Sequence, residues 1–229
     1  MKLTLIEKRP EAPDVITFVF KPEQPLSWQA GQYLHYTLPH DDADDRGVER
    51  WFTISAAPFE ANPQITTRFS PKSSSFKRHL RALTVGAQIE ADGPDGDFVI
   101  EDVTNSYVFI AGGIGITPFR SILKQADHKQ VALDVTLLYG NRDLAGTVFW
   151  SELQTFANLN PKLIMNNILE PKRIDAQTIK ALPDYQTKTY YVSGPEPMVA
   201  AMAAILDELG ISAAQQKHDD FPGYDWPLA

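Results

Sequence analysis

Cysteine is absent from the 229 residues, and this absence excludes several kinds of chemistry. Disulfides, thiolate zinc sites, Cys-ligated iron–sulfur clusters and a catalytic thiol all require that side chain. No apolar run is long enough to span a bilayer. The formal net charge of −8 argues against a general nucleic-acid binder. We therefore expect a soluble cytoplasmic protein with no membrane span and no nucleic-acid partner.

Motifs with metal-ligand spacing are also lacking. The acidic run at residues 41–45 has neither the sixth-position glycine nor the closing Glu of a calcium loop. None of the five histidines falls in a recognisable motif. We predict no metal site, and we interpret residues 41–45 as a solvated loop between strands.

The first hundred residues are rich in short runs of β-branched and aromatic side chains. These runs lie at residues 15–20, 33–38, 50–54 and 64–69, with turn residues between them. Many short strands at such spacing predict a barrel or a sandwich. One helix is predicted to interrupt them, at residues 75–83.

The second half alternates strand and helix patterns, which is typical of a parallel α/β sheet. Predicted strands cover residues 107–111, 135–139, 162–165 and 189–192, and predicted helices cover residues 118–126, 149–157, 176–182 and 198–209. The polar stretch 101–106 separates the halves. We predict a β-barrel domain at residues 1–103, followed by an α/β parallel-sheet nucleotide-binding domain at residues 104–229.

A glycine-rich turn follows the apolar strand at residues 107–111. Glycines at 112, 113 and 115 let the backbone turn sharply and approach a ligand closely. The start of the next helix would offer free N–H groups to a pyrophosphate. We expect Thr117 to cap that helix and Pro118 to take its first position. The pattern is not the G-x-G-x-x-G fingerprint, so a purely steric turn remains an alternative on these residues alone.

Five motifs in the same order resemble those of the ferredoxin–NADP reductase superfamily. Residues 112–118 match its Gly-Gly-x-Gly-x-Thr-Pro, and residues 50–55 are similar to its flavin motif Arg-x-Tyr-(Ser/Thr)-x-(Ala/Ser). Residues 31–33, 93–98 and 193–198 resemble three further motifs of the family. The resemblance covers nearly the whole chain. It implies a flavin-binding β-barrel, a nicotinamide-binding α/β domain, and FAD and NAD(P)H as cofactors.

The resemblance gives four barrel residues roles in flavin binding. It places Arg50 on a flavin phosphate and packs Phe52 on the isoalloxazine ring, where the family usually has Tyr. Thr53 is expected to hydrogen-bond the flavin near N4 or N5. Trp51 covers either the barrel or the adenine. A surface ion pair with the acidic loop remains the alternative for Arg50.

The resemblance also places the FAD pyrophosphate at the start of the first predicted helix. The family usually has Gly-x-x-Ser there, and this chain departs from that pattern. The residues expected to bind are Ser74, Ser75, Phe76 and Lys77. A helix capped by serine, with no ligand, is the alternative.

In the second half, the resemblance gives the nicotinamide site its residues. Gly112, Gly113, Gly115 and Pro118 are expected to bind the dinucleotide, and Thr117 to lie at the flavin–nicotinamide contact. Thr53, Thr117 and Ser193 are the predicted catalytic residues.

Five positions complete the predicted site. Ser193 stands where the family often has Cys, and Gly194 and Pro195 shape the next turn. Arg142 contacts the adenosine or a 2′-phosphate, or is a solvated loop residue. The fifth, Tyr224 or Phe221, is expected to shield the flavin, or to pack on the surface as part of a tail.

The implied activity is hydride transfer from NAD(P)H to bound FAD, with electrons passed to an acceptor such as ferredoxin or flavodoxin. A candidate docking patch contains basic residues near the flavin helix: Lys72, Lys77, Arg78 and Arg81. Reduction of free flavin, a quinone or a ferric chelate is one alternative. A non-catalytic flavin-binding module, or a nucleotide-binding protein without flavin, is another.

Overall fold

The computed structural model describes residues 1–221 and contains two sheets, one antiparallel and one parallel. The predicted fold class, a β-barrel followed by a parallel α/β sheet, is confirmed. The division at residues 103 and 104 stays a prediction. Tyr224 lies outside the described residues.

Six antiparallel strands form the barrel sheet, in the order β4-β3-β6-β1-β2-β5. They are β1 (Lys2–Ala12), β2 (Val15–Pro22), β3 (Tyr33–Thr37), β4 (Glu49–Thr53), β5 (Gln64–Arg68) and β6 (Gln88–Asp95). Strands β1 and β6 are additional to the predicted ones. Their side chains are largely polar, and β1 contains two register shifts against β2. Such strands lack the apolar runs on which the prediction relied.

The barrel core consists of the inward-facing side chains of these strands. Leu3, Phe20, Leu34 and Ile65 are fully buried there, as the period of two along a strand requires. Helix α1 (Ser75–Ala82) packs Phe76 and Leu80 against the same core. The two end strands approach each other just beyond β4, where the hydroxyls of Ser55 and Thr66 lie 2.7 Å apart.

Five parallel strands form the second sheet, in the order β11-β10-β7-β8-β9. They are β7 (Ser106–Gly112), β8 (Asp134–Asn141), β9 (Leu163–Leu169), β10 (Thr189–Pro195) and β11 (Gln216–Phe221). The helices are α2 (Thr117–His128), α3 (Trp150–Leu159), α4 (Ala176–Lys180) and α5 (Glu196–Glu208). Helices α2 and α3 cover one face and α4 and α5 the other. The central strand β7 is therefore buried on both sides.

Strand β11 is missing from the sequence prediction. Its residues 216–221 are mostly polar, with two adjacent aspartates, so no apolar pattern marks it. It forms an edge of the sheet and pairs with β10, placing Asp219 opposite Ser193. This pairing adds a residue to the site described below.

The two sheets are held together by buried polar contacts. The Arg120 guanidinium of α2 donates to the backbone oxygen of Ser55 at 2.7 Å and to Glu60 at 3.2 Å. The Tyr191 hydroxyl donates to Val99 O at 2.7 Å. These contacts fix the end of β4 against the start of α2, where the candidate site lies.

No helix within residues 1–221 is both long enough and apolar enough to cross a membrane.

Candidate functional site

The glycine turn lies at the carboxyl end of β7, the central strand of the parallel sheet. A Cβ on Gly112 would lie 2.1 Å from Met198 Sδ, and one on Gly115 would lie 2.1 Å from the backbone oxygen of Ser193. Gly115 is therefore required by close packing against the backbone of β10, whereas a side chain at Gly112 would displace the flexible end of Met198. Gly113 differs, because its φ is +51° and a Cβ there would meet no described atom within 4 Å. A purely steric turn thus explains Gly115 fully and Gly112 only through Met198, whereas Gly113 faces open space.

The start of α2 corrects the expectation for Thr117. A short 3₁₀ turn at residues 113–116 leads directly into α2, so Ile116 takes the cap position. Thr117 is the first helical residue, and its hydroxyl donates to Ile114 O at 3.2 Å. Pro118 is accordingly the second residue. Thr117 does not cap the helix, because the chain is already helical before it.

The larger cavity at this edge has a volume of about 540 Å³. It lies at the carboxyl ends of β7, β8 and β10, where parallel sheets bind ligands. Among the predicted residues, Gly112, Gly113, Arg142 and Pro195 line it. The loop after β9 adds two cations to the lining, Lys172 and Arg173. Its size is within the usual range for small-molecule and cofactor sites.

The smaller cavity, of about 320 Å³, lies between the barrel and the parallel sheet. The lining residues predicted from sequence are Arg50, Trp51, Phe52, Thr53, Ser74, Lys77 and Thr117. Ile114 of the glycine turn lines both cavities. The turn is thus the wall that the two cavities share.

The rings beside the smaller cavity differ in burial. Phe52 is half-buried and packs on Tyr36 and Phe76, with ring centroids 6.0 and 5.7 Å apart. Trp51 is 62% exposed and stacks on His35 at 4.5 Å. Phe52 therefore lies between the barrel core and the cavity, whereas Trp51 offers a flat apolar surface at its rim.

Arg50 is buried beside the smaller cavity, and most of its donors are used within the chain. Its Nη1 donates to the backbone oxygens of Arg46, Gly47 and Glu49 at 2.6–3.0 Å. Its Nη2 donates to Asp44 Oδ1 at 2.9 Å, which is the ion pair with the acidic loop. Its Nε is buried and has no hydrogen-bond partner among the described residues. Arg50 thus holds the acidic loop and keeps one buried donor that no described residue uses.

The start of α1 only partly matches its predicted role. Ser74 caps the helix by accepting from Lys77 N, and both residues line the smaller cavity. The Ser75 backbone N–H donates to Asp44 Oδ2 at 2.6 Å, and Phe76 is buried in the barrel core. Within the described residues, Ser75 and Phe76 do not line either cavity. Asp44 occupies the helix N–H group that was expected to bind pyrophosphate.

Asp219 is the main site residue that the sequence prediction missed. Its Oδ2 accepts from Ser193 Oγ at 3.3 Å and from Thr53 Oγ1 at 3.4 Å, at the wall of the smaller cavity. Burial raises the pKa of Asp219 to about 7, against the opposing effect of the Ser193 hydrogen bond and with a contribution from the nearby Asp220 charge. The structure therefore brings Thr53 and Ser193, two of the three predicted catalytic residues, onto one carboxyl group.

Known proteins resemble this chain over almost its whole length. A family model described as an oxidoreductase NAD-binding domain matches residues 109–204. A flavohemoprotein of Bacillus subtilis (strain 168) is 26% identical over 98% of this chain and 60% of its own length. Phenoxybenzoate dioxygenase subunit beta of Ectopseudomonas oleovorans is 30% identical over 87% of this chain and 59% of its own. The chain spans about 60% of the length of these curated relatives.

Solved structures show the same fold. The FAD/NAD-binding domain of nitric oxide dioxygenase from Vibrio cholerae superposes with a TM-score of 0.83 at 20% identity, covering 96% of this chain and 98% of that one. A ferredoxin NADP⁺ reductase from Neisseria gonorrhoeae, solved with FAD and NADP, gives a TM-score of 0.80 at 15% identity. The match covers 96% of this chain and 98% of that one.

The chain has the two-domain fold of the ferredoxin–NADP reductase superfamily. Residues 109–204 of its parallel sheet match the oxidoreductase NAD-binding domain, and its barrel has the fold of the FAD-binding part of the solved structures. The residues present fit both cofactors of this superfamily. Arg50 has a buried donor without a partner beside the smaller cavity, and Gly113 leaves the wall of the larger cavity free of a side chain.

Proposed function

We propose that this chain is a reductase that takes a hydride from NAD(P)H onto bound FAD and passes electrons to a separate acceptor. The observation that carries the proposal is the wall shared by the two cavities. Ile114 lines both, with Gly113 on one side and Thr117 on the other. Two cofactors bound in these cavities would meet at this turn, as a direct transfer between them requires.

On the barrel side, we assign flavin binding to the residues that line the smaller cavity. Arg50 offers its buried Nε, and Lys77 and Ser74 at the start of α1 add a positive charge and a hydroxyl. Charge-assisted hydrogen bonds of this kind suit a phosphate. Phe52 supplies a ring contact for the isoalloxazine, and exposed Trp51 offers a stacking surface for the adenine.

On the α/β side, the dinucleotide is assigned to the larger cavity. Gly113 admits the pyrophosphate close to the backbone, and Gly194 and Pro195 shape the turn that leads into α5. Arg142 extends the cavity with a positive charge at the end of β8. This charge suits the adenosine end of the dinucleotide, including a 2′-phosphate.

The flavin and nicotinamide supply the redox chemistry when bound, and the protein orients them. Below about pH 7 the Asp219 carboxyl group is neutral, and because Oδ2 accepts two hydrogen bonds the proton lies on Oδ1. The hydroxyls of Ser193 and Thr53 fix the direction of Oδ2. A neutral carboxyl group can donate a hydrogen bond into the cavity and adds no negative charge where a hydride arrives. Ser193, at the position where the family often has Cys, thereby contributes by donating a hydrogen bond to Asp219.

The acceptor is proposed to be a protein such as ferredoxin or flavodoxin. Two similar proteins are named as reductase components, the glycine betaine monooxygenase reductase subunit of Chromohalobacter salexigens and the 3-ketosteroid-9-alpha-monooxygenase ferredoxin reductase component of Rhodococcus rhodochrous. The basic residues expected to dock such a partner are partly engaged, since Arg78 pairs with Asp42 at 3.0 Å. Free flavin, a quinone or a ferric chelate are the competing acceptors.

Anaerobic stopped-flow reduction with NADH and NADPH in parallel tests the proposal. We expect the flavin absorbance of the FAD-loaded protein to bleach rapidly with at least one nucleotide. A yellow protein that neither nucleotide bleaches would instead be a non-catalytic flavin module. A colourless protein that cannot be reconstituted with FAD would contradict the flavin assignment. Turnover with reduced protein and each acceptor class then identifies the acceptor.

A further inference from the structure

Three side chains with metal-binding atoms meet on the outer side of α1, away from both cavities. They are His40 and Asp42, from the loop after β3, and His79 of α1, and one ligand atom of each lies within 4.8 Å of those of the other two. The two imidazole rings stack with centroids 4.3 Å apart. Asp42 Oδ1 lies 2.5 Å from His79 Nε2. The sequence pattern did not reveal the cluster, because 36 residues or more separate His79 from the other two members.

The hydrogen bonds around His40 orient it as a ligand. Its Nδ1 lies 2.7 Å from Leu38 O, and a carbonyl can only accept, so Nδ1 carries the proton. The Nε2 atom of the neutral ring therefore presents its lone pair, towards which the Ser75 hydroxyl points at 2.9 Å. A backbone carbonyl on the distal ring nitrogen is the usual support of a metal-bound histidine.

Asp42 is supported in the same way. Arg78 Nη2 donates to its Oδ2 at 3.0 Å, which leaves Oδ1 facing the imidazoles. A carboxylate can bind a cation through one oxygen while the other keeps an outer hydrogen bond. The acidic run 41–45 adds negative charge to the loop, whereas Arg78 opposes a cation by its own charge.

We propose that His40, Asp42 and His79 form a binding site for a divalent transition-metal ion of the zinc class. Two imidazoles and one carboxylate suit ions of the zinc class, whereas Mg²⁺ and Ca²⁺ prefer oxygen ligands alone. Bonds of about 2.0–2.1 Å at tetrahedral angles put the ligand atoms about 3.3 Å apart. To direct both in-plane lone pairs at one ion, the stacked rings must turn out of their nearly parallel arrangement. The ion then replaces the Ser75 hydroxyl at His40 Nε2 and the proton between His79 Nε2 and Asp42. His79 and Asp42 are 39% and 59% exposed, so water completes the coordination.

The ion would join two segments that matter for the smaller cavity. Its ligands lie on α1 and on the loop whose Asp44 holds Arg50 and the Ser75 N–H group. Binding therefore stabilises the folded arrangement of loop and helix by mass action. The site itself does not depend on whether the chain binds flavin or transfers electrons.

Isothermal titration of the full, chelator-treated chain with ZnCl₂ tests the site, with Co²⁺ absorption as a second measurement. We expect one equivalent to bind, Tm to rise with Zn²⁺, and Co²⁺ to give ligand-field bands. His40→Ala and His79→Ala should each weaken binding at least tenfold. His128→Ala is the matched control, because that surface histidine stacks on Phe59 outside the cluster, and it should bind as the parent does.

The proposal is overturned if the parent binds Zn²⁺ no better than a His40→Ala/His79→Ala double variant with an unchanged far-UV spectrum. Equal loss in the His128→Ala control would likewise show non-specific surface binding.

Discussion

Asp219 is the residue on which the chemistry of the site depends most directly. Its carboxyl group is buried against Ser193 and Thr53, and burial raises its pKa to about 7. Such a group changes charge within the physiological pH range, where an ordinary aspartate stays ionised. Shifted pKa values of this kind are typical of functional sites.

We predict that reduction by NAD(P)H slows as pH rises through about 7. Above that pH, Asp219 ionises, and its negative charge opposes the arrival of a hydride in the same cavity. Asp219→Asn stays neutral at every pH, so its stopped-flow rate should lose this inflection. Asp220→Asn is the control. It should keep the inflection and shift it to lower pH, because the Asp220 charge helps to raise the pKa of Asp219. An unchanged inflection in Asp219→Asn would rule out this assignment.

Arg50 gives the second prediction at the level of a single residue. Arg50→Ala removes the buried donor beside the smaller cavity, and hydrogen bonds to charged groups contribute about 1.5–3 kcal/mol. We expect FAD to bind at least tenfold more weakly, measured by the quenching of flavin fluorescence. If the variant retains FAD as tightly as the parent, the phosphate role of Arg50 is wrong.

A control separates this loss from damage to the loop that Arg50 also holds. Arg81→Ala removes another arginine of the barrel domain, one that packs over Phe69 and lies outside the lining of both cavities within residues 1–221. It should leave the Kd for FAD unchanged. Limited proteolysis around residues 41–49 reports whether Arg50→Ala has released the loop.

At the level of elements, burial explains which parts of the fold could be predicted. Residues 107–111 of strand β7 form a continuous buried run because helices cover both faces of the parallel sheet, and this run was visible in the sequence. Strand β11 is a polar edge and was missed. The start of α2 was also predicted wrongly. A 3₁₀ turn precedes the helix, so Ile116 and not Thr117 takes the cap position.

In the candidate site too, only the residues that a local sequence pattern marks could be predicted. The residues with motif spacing, such as Arg50 and Gly113, could be placed from sequence. Asp219 is 26 residues from Ser193 and reaches it only through the pairing of β10 and β11. Asp44 is 31 residues from Ser75 and occupies its N–H group only because a loop folds back onto α1. No local pattern encodes these contacts.

The glycine turn gives the prediction at the level of elements. Gly113→Val places a branched side chain at the wall of the larger cavity. We expect the KM for NAD(P)H to rise at least tenfold, or reduction to fail, while FAD stays bound. Steady-state and stopped-flow reduction measure this, and unchanged kinetics would contradict the dinucleotide assignment.

Gly210→Val is the matched control for backbone strain. Gly210 also has a positive φ, +78°, and a Cβ there would likewise meet no described atom within 4 Å. It follows α5 and lines neither cavity within the described residues. Both substitutions should cost about 1–3 kcal/mol of stability, but only Gly113→Val should change the KM.

At the level of the whole molecule, an ion-pair network fixes the two sheets relative to each other. Arg120 of α2 is 3% exposed and pairs with Glu60 after β4 and with Glu152 of α3, at 3.2 and 2.7 Å. Lys124 bonds both carboxylates at 2.8 Å. Since both cavities meet at the start of α2, this network sets the distance across which their ligands would react.

The network should make stability depend on pH. Burial alone would raise the pKa values of Glu60 and Glu152, but Arg120 and Lys124 outweigh it and lower both. A lowered folded-state pKa stabilises the fold above the unfolded-state value of 4.5, and this stabilisation is lost as pH falls through the folded-state value. The parent should therefore unfold more easily below about pH 4.5 than at pH 7.

Arg120→Ala tests whether the network unites the molecule. Removing the shared cation leaves two largely buried carboxylates with Lys124 alone, so we expect a loss of about 3 kcal/mol of unfolding free energy at pH 7. That loss corresponds to a fall in Tm of roughly 6–12 °C for a chain of this size. Arg78→Ala, measured with a chelator, is the control. It removes the exposed Asp42 pair and should cost less than about 1 kcal/mol.

The Arg120→Ala variant should also reduce bound FAD more slowly, because the two sheets no longer hold the two cavities at a fixed distance and angle. Slower reduction at an unchanged Kd for FAD and KM for NAD(P)H would identify this geometric effect, whereas parental rates in a destabilised variant would show that the network serves stability alone.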